Sequence, residues 1–281
     1  AEQIGRAGDS DAAGALRRVT GLTLVDGKFI YVRGLGERYA STLLNGAQIP
    51  SPDPTRRVVP LDIFPTEVLE GIGVQKTYSA EMPGEFGGGV VQLRTRSFPK
   101  SFQAKVSASV GYDDGATGER GLSYRGGNKD WLGRDGGARE LPRELFEARL
   151  SEFPAAEQER LAEALAGRGY RVGERRIDPN ATFALGIGDA FQAGPVDFGY
   201  SASFRHAHQW DNREEQLKSF SIIDGVVNAT PVAEFERRRT ERAIDSSLYL
   251  TGGAALDERH ALDAVLMLLR QSSDDVRIDQ G

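Results

Sequence analysis

The sequence predicts a mixed α/β unit over residues 1–97, followed by antiparallel transmembrane strands that form part of a β-barrel. Three observations favour this fold class. Residues 102–112 alternate between apolar or aromatic side chains at even positions and polar or small ones at odd positions, as expected of a strand with two unlike faces. Similar segments follow, joined by alternately long and short connections. No run of about 18 apolar residues is present, so no transmembrane helix is expected.

Composition limits the classes of function. The 281 residues suffice for one large or two ordinary domains, and the net charge of -6 gives no support for nucleic-acid binding. Cysteine is absent, which excludes disulfides, thiolate metal sites and cysteine nucleophiles. No Ser-His-Asp arrangement, paired-carboxylate motif or metal-ligand cluster is legible. We therefore expect no enzyme, no cofactor and no bound metal; a soluble two-domain hydrolase is the least supported alternative.

The elements of the first 97 residues follow from local signals. Ser10 or Asp11 supplies the N-cap of a predicted helix over 12–19. The dipeptide Asp26-Gly27 predicts a hairpin between strands at 22–25 and 29–33. Three prolines between residues 49 and 57 predict a stiff irregular loop. The remaining predicted elements are a strand at 41–44, a helix over 61–69 and strands at 72–77 and 90–96.

Five strands are predicted in residues 98–281, at 102–112, 181–191, 196–205, 244–254 and 260–269. Long loops are expected near 113–180, with a helix over 144–166, and near 208–240, whereas the other two connections are short. Short turns on one side and long loops on the other are typical of an outer-membrane barrel. A sandwich remains the alternative for any single strand, but it does not explain this segregation. Because five strands leave open edges, we expect further strands in a longer protein.

The order of several short motifs in the α/β unit resembles the plug domain of TonB-dependent outer-membrane receptors. The motifs are Asp11-Ala-Ala-Gly-Ala-Leu-Arg-Arg-Val-Thr-Gly21, Val32-Arg-Gly34, Leu43-Leu-Asn-Gly46, Val68-Leu-Glu-Gly-Ile-Gly-Val74 and Gly84-Glu-Phe-Gly-Gly-Gly-Val-Val-Gln-Leu-Arg-Thr95. Each is weak alone, but their order and spacing before amphipathic strands make a strong signal. The resemblance covers about residues 9–97 by motif and the remainder by strand pattern.

The resemblance implies a function and partners. In this family a plug closes a barrel of roughly 22 strands, and the periplasmic protein TonB remodels the plug to admit a substrate. It thus implies an active transporter in the outer membrane of a Gram-negative bacterium, in contact with lipid and TonB. The substrate would be a scarce or large molecule such as a siderophore, a cofactor, an oligosaccharide or a peptide. The alternative is a surface binding or signalling receptor that transports nothing.

The resemblance also implies contacts between plug and barrel. Arg33 and Gly34 match the Arg-Gly motif of the family, whose arginine pairs with barrel glutamates. The run Gly87, Gly88 and Gly89 allows positive φ and close approach to the barrel wall, although a plain tight turn explains it equally. In some members a second arginine precedes this run. Here Glu85 and Phe86 stand there, so a lock made of two arginines is in doubt.

Substrate contact is expected at the proline-rich loop, where the resemblance implies an apical position. The candidate residues are Pro50, Ser51, Pro52, Asp53, Pro54, Arg56 and Arg57. Its arginines suit an anionic ligand, or they are solvated side chains inside the barrel. The i, i+2 pair His206 and His208 suits a metal, but an incidental pair without carboxylates is the stronger interpretation. Trp131 and Trp210 suit an aromatic belt or a ligand platform.

Overall fold

The computed structural model describes residues 11–25, 28–36, 39–51, 59–80, 82, 87–141, 143, 145, 152–166, 171–223, 226–257 and 259–281. The chain divides into two compact units. Unit 1 contains residues 1–106, 184–205 and 247–270, and unit 2 contains residues 107–183, 206–246 and 271–281.

The predicted N-terminal helix and hairpin are present. Helix α1 (Ala12–Leu16) begins after Asp11, whose Oδ1 accepts the Gly14 N–H at 2.8 Å, so Asp11 is the N-cap. Strands β1 (Leu22–Val25) and β2 (Phe29–Val32) pair antiparallel. The predicted turn Asp26-Gly27 lies outside the described residues.

A four-stranded sheet forms the centre of the α/β unit. Its strands are β3 (Ala40–Leu44), β4 (Ala47–Gln48), β5 (Leu69–Gln75) and β6 (Gly89–Thr95), in the order β4-β3-β6-β5. Strand β6 pairs parallel with β3 and antiparallel with β5. Leu93 of β6, at 0 % exposure, packs in one cluster with Leu16 of α1 and Ile30 of β2. This cluster fastens the helix and the hairpin to the sheet.

The prediction of one continuous helix over 61–69 is wrong. Two 3-10 turns, Leu61–Ile63 and Thr66–Val68, lie there instead. Pro65 separates them, and Phe64 before it is extended at φ -98° and ψ 103°. A proline disfavours helical geometry in the residue before it, so one continuous helix cannot form.

All five predicted wall strands exist. They are β7 (Gln103–Gly111), β10 (Asn180–Ala193), β11 (Val196–Ile223), β12 (Val226–Ala255) and β13 (Ala261–Gln280). Their order in the sheet is β13-β12-β11-β10-β7, so each pairs with its neighbour along the chain within this set. The intervening β8 (Arg120–Ser123) and β9 (Gly173–Arg176) form a separate antiparallel pair that the sequence did not predict.

The loop predicted near 208–240 is wrong, because those described residues continue β11 and β12. The prediction used apolar alternation, which marks only strands with one apolar face. Charged side chains pair across neighbouring strands here, where the prediction expected a strand to carry apolar ones. Lys218 Nζ lies 2.8 Å from Glu234 Oε1, Arg237 Nε lies 2.7 Å from Asp279 Oδ1, and Arg239 Nη2 lies 2.9 Å from Asp275 Oδ2.

The helix predicted over 144–166 is confirmed only over its last half, as α2 (Ala155–Ala166), which buries Leu161. Most of residues 144–151 lie outside the described part of the chain. Neither described helix is long and apolar enough to cross a membrane.

Candidate functional site

The Arg-Gly motif forms a tight turn after β2. Arg33 has φ 55° and Gly34 has φ 76°, so both lie in the left-handed region. The Arg33 N–H donates to the Gly21 carbonyl at 3.0 Å, and the Leu35 N–H donates to the Val32 carbonyl at 3.0 Å. Arg33 is exposed, so the turn presents this guanidinium to its surroundings.

The glycine run packs against the same turn. A Cβ at Gly87 would lie 2.9 Å from Tyr39 Cδ1, and one at Gly88 would lie 2.7 Å from Leu35 Cδ1. At Gly89 it would lie 2.9 Å from both methyl groups of Val32. None of the three glycines has a positive φ, so the prediction that the run serves a positive-φ turn is wrong. The glycines are needed because side chains approach their backbone too closely for a Cβ. This close packing places the start of β6 directly against the Arg-Gly turn.

Wall strands contact the end of the α/β unit inside unit 1. The Tyr249 hydroxyl of β12, at 2 % exposure, donates to the Arg96 carbonyl at 2.6 Å. The Arg96 Nε donates in turn to the Leu69 carbonyl at 2.9 Å. Pro99 lies over Gly188 of β10, where a Cβ would be 2.8 Å from the ring. The wall strands therefore leave space for the segment that follows β6.

Unit 2 contains a cavity of about 250 Å³ between β8, the 3-10 turn Asp130–Leu132 and strands β11–β13. Two tryptophans, two carboxylates and two guanidiniums are among its lining residues: Trp131, Trp210, Asp130, Asp274, Arg175 and Arg242. Trp210 is 9 % exposed, and the guanidinium carbons of Arg175 and Arg242 lie 5.2 Å and 5.4 Å from its ring centroid. This cation–π arrangement holds both cations beside the cavity.

A hydrogen-bonded cluster fixes one wall of the cavity. Arg139 donates from Nη1 and Nη2 to the two carboxylate oxygens of Asp130 at 2.9 Å and 2.6 Å, and from Nε to Tyr124 Oη at 2.8 Å. The Tyr124 hydroxyl donates to Asp274 Oδ1 at 2.8 Å. The Arg139 hydrogen bonds lower the pKa of Asp130. Burial, then the bond to Asp274, raises the pKa of Tyr124 to about 12. Asp130 and Arg139 are therefore both charged at neutral pH, and Tyr124 is neutral between Arg139 and Asp274.

Two histidines and a carbonyl oxygen meet beside this cavity. His206 and His208 occupy alternate positions of β11. Their Nε2 atoms are 2.8 Å apart and lie 3.1 Å and 2.9 Å from the carbonyl oxygen of Trp131. His206 Nδ1 lies 2.8 Å from Ser246 Oγ on β12. No group of three His, Cys, Asp or Glu side chains suited to a metal is found in the described ranges.

Comparison with known proteins identifies the α/β unit. Residues 1–90 match the family model described as TonB-dependent Receptor Plug Domain. Residues 1–90 are therefore a plug domain of the TonB-dependent receptor family. That family consists of receptors and transporters, not enzymes.

The chain is similar to two solved structures. The siderophore receptor PirA from Acinetobacter baumannii is 11 % identical, with a TM-score of 0.36, over 90 % of this chain and 46 % of that chain. The siderophore receptor PirA from Pseudomonas aeruginosa is 14 % identical, with a TM-score of 0.35, over 99 % of this chain and 54 % of that one. The chain thus spans about half the length of these two receptors. No curated protein matches the sequence.

The plug domain brings together some of the predicted site residues. The Arg33-Gly34 turn and the run Gly87–Gly89 meet through Val32 and Leu35, while their contact with a barrel wall stays a prediction. Pro50 and Ser51 follow β4, but Pro52, Asp53, Pro54, Arg56 and Arg57 lie outside the described residues, as do Glu85 and Phe86. Substrate contact at this loop is therefore still a prediction.

Sequence reasoning missed the cavity in unit 2. Its cluster joins Tyr124, Arg139 and Asp274, which are 15 to 150 residues apart, and no local motif connects such positions. The two tryptophans were the available signal, since both were considered as a ligand platform and both line the cavity.

Proposed function

We propose that this receptor lies in the outer membrane of a Gram-negative bacterium and takes up a scarce or large substrate in a process driven by TonB. Siderophores, cofactors, oligosaccharides and peptides are the substrate classes considered. The observation that carries the proposal is the plug domain followed directly by wall strands that pair in chain order. A plug has a function where a barrel would otherwise stay open, and a barrel of roughly 22 strands, as in this family, encloses a large lumen.

Contacts inside unit 1 hold the plug against the wall strands. The apolar core of the plug sheet includes Tyr249 of β12, and Met267 and Leu269 of β13 pack against it, so the plug shares this core with the wall strands. Its described hydrogen bond to a wall strand runs from Tyr249 to the Arg96 carbonyl, and such bonds contribute only about 0.5–1.5 kcal/mol each. A mechanical pull applied to residues before α1 would act on the same body, because α1 packs in the core of the plug.

The matched PirA proteins are siderophore receptors by name. That substrate class is a candidate for this receptor, on the same footing as the other three.

A genetic experiment tests the proposal. The gene is deleted alone, TonB is inactivated alone, and both changes are combined, and accumulation of labelled ferric siderophores, cobalamin, oligosaccharides and peptides is measured in each strain. Transport driven by TonB predicts that one substrate class fails to accumulate equally in all three strains. Uptake that survives loss of TonB but requires the receptor would refute energy coupling. A binding or signalling receptor would instead change transcription on exposure to the substrate without any change in accumulation.

Fractionation tests the location independently. The full-length protein should enter the outer-membrane fraction, resist extraction without detergent and migrate differently on gels before and after heating. A protein recovered in the aqueous fraction without detergent contradicts the barrel.

A further inference from the structure

The contacts among His206, His208 and the Trp131 carbonyl cannot all be hydrogen bonds. The three separations are 2.8 Å between the two Nε2 atoms and 3.1 Å and 2.9 Å from these atoms to the carbonyl oxygen. The carbonyl only accepts, so each nitrogen must carry a hydrogen to bond it. A hydrogen bond between the two nitrogens requires that one of them carries no hydrogen and accepts from the other. Every placement of hydrogens therefore leaves at least one short contact unsatisfied.

A single cation at the centre of the three atoms satisfies all of them. Ligands at about 90° with bonds of about 2.05 Å are about 2.9 Å apart, whereas tetrahedral ligands are about 3.3 Å apart. The observed separations are 2.8, 2.9 and 3.1 Å. The same geometry places the centroids of two imidazole rings about 4.5 Å apart, and here they are 4.7 Å apart with the rings at 75°. The triangle fits one face of an octahedral coordination sphere.

The surroundings resemble those of a prepared metal site. Ser246 Oγ lies 2.8 Å from His206 Nδ1, and a partner on the second ring nitrogen is what orients metal-binding histidines. The turn that carries Trp131 is fixed by Gly127, whose N–H donates to Asp130 Oδ2 at 2.8 Å, and by Ser272, which donates to the Gly133 carbonyl at 2.8 Å. The three donor atoms are thus held in place without the ion.

Charge around the site is mixed. The positive charge of Arg242 disfavours a cation at both histidines, while the negative charge of Asp178 favours one at His208. Asp274, Asp130 and Asp178 partly offset the charge of Arg242, and Arg175 lies near it as a second cation. Imidazole nitrogens suit late first-row metals, whereas Mg²⁺ and Ca²⁺ prefer oxygen ligands.

We propose that His206 Nε2, His208 Nε2 and the Trp131 carbonyl form a binding site for a divalent late transition metal, Ni²⁺ or Cu²⁺. The ion would fasten the Asp130–Leu132 turn to β11 and keep its remaining positions for water or for a donor atom of a ligand. Zn²⁺ fits less well because it prefers tetrahedral angles. This site does not depend on whether the receptor transports anything.

Metal titration of the purified full-length protein, in detergent and without a histidine tag, tests the proposal. NiCl₂ and CuCl₂ are titrated by calorimetry, and the spectrum of the Cu²⁺ form is recorded by electron paramagnetic resonance. One ion should bind, with coupling to two nitrogen nuclei. His206→Ala and His208→Ala should each weaken binding by more than the roughly 10–100-fold typical of changes beyond the direct ligands, and Ser246→Ala should fall within that range.

His260→Ala is the matched control, because His260 is the third histidine of these 281 residues and contacts Asp257 instead. Its affinity should equal that of the unmodified protein. Each variant is checked for heat-modifiable migration, and His208→Gln provides a ligand change of similar size if an alanine variant fails to fold. Absence of stoichiometric binding, or binding that persists unchanged in His206→Ala and His208→Ala, would overturn the proposal. Binding that only His260→Ala removes would overturn it as well.

Discussion

Replacing Gly89 by alanine should loosen the plug, because the new methyl group has no space. A Cβ at Gly89 would lie 2.9 Å from Val32 Cγ1 and Cγ2 and 3.2 Å from Val32 Cβ. Val32 is 1 % exposed and packs in the plug core, and a β-branched side chain has little freedom to rotate away. Overpacking of this kind costs about 1–3 kcal/mol. Restricting the unfolded chain offsets about 0.4–1 kcal/mol of that.

The net expectation for Gly89→Ala is a loss of about 1–2 kcal/mol in the opening free energy of β6, or roughly 5–30-fold faster hydrogen exchange. Exchange is measured by mass spectrometry on the full-length protein, in peptides that cover residues 87–95. Gly73→Ala is the matched control. It lies in the adjacent β5, where the nearest atom to an added Cβ is Gln92 Cβ at 3.8 Å, so exchange should be unchanged or slower.

A double variant separates the clash from other effects. If the methyl group acts through Val32, then Val32→Ala should remove most of the penalty of Gly89→Ala, and the two changes should not be additive. Additive effects, or a Gly89→Ala protein that exchanges like Gly73→Ala, would refute the close-packing explanation for the glycine run.

Two further predictions concern a turn in the plug and the tyrosine of the cavity. Asn45 has φ 51°, and its side chain donates to Thr95 Oγ1 at 2.8 Å and accepts the Thr95 N–H at 2.9 Å. Asn45→Gly should remove the two hydrogen bonds and lower the free energy of unfolding by about 0.5–1.5 kcal/mol for each. Asn45→Ala should lower it by roughly 1–2 kcal/mol more, because alanine is strained in the left-handed region. Equal hydrogen-exchange rates in the two variants would contradict this. Tyr124, with its pKa raised to about 12, stays neutral in the folded protein at pH values at which it ionises in the unfolded chain. Its contribution to stability is complete below pH 10 and is lost as the pH rises from about 10 to about 12. The difference in ultraviolet absorbance between the unmodified protein and Tyr124→Phe should titrate with that raised midpoint, and a midpoint near the ordinary value would contradict the burial of the hydroxyl.

Sequence patterns predicted the elements whose signals are local. The Asp26-Gly27 dipeptide predicted the β1–β2 hairpin, and alternation predicted the existence of all five wall strands. Strand ends were not predictable in this way, since beyond residue 208 charged side chains such as Lys218 and Glu234 pair across neighbouring strands, and charged residues on both faces resemble a loop. The β8–β9 pair was missed because Arg120 opposes Arg176 across more than fifty residues, with no alternation in either strand.

The candidate site was less predictable than the fold. The Arg-Gly turn and the glycine run were selected separately, and only the structure shows that Val32 and Leu35 lie between them. His206 and His208 were noted from their spacing, but the third atom of the triangle is a main-chain carbonyl of Trp131. Backbone atoms carry no residue-specific signal, so a site that uses one cannot be recognised from side-chain types alone.

The position of β6 in the plug sheet has a consequence for the order of folding. β6 is the last plug strand in the chain, yet it lies between β3 and β5 and is the described partner that joins them. Residues 40–75 therefore have no complete sheet until residues 89–95 are available, and closing that distance carries a loop entropy that local hairpins avoid. β7 begins only eight residues after β6 ends, at Gln103. Because the chain is synthesised from its N-terminus, the plug can complete its sheet just before the first wall strand is made. The plug can therefore be folded before the strands of the barrel begin to pair.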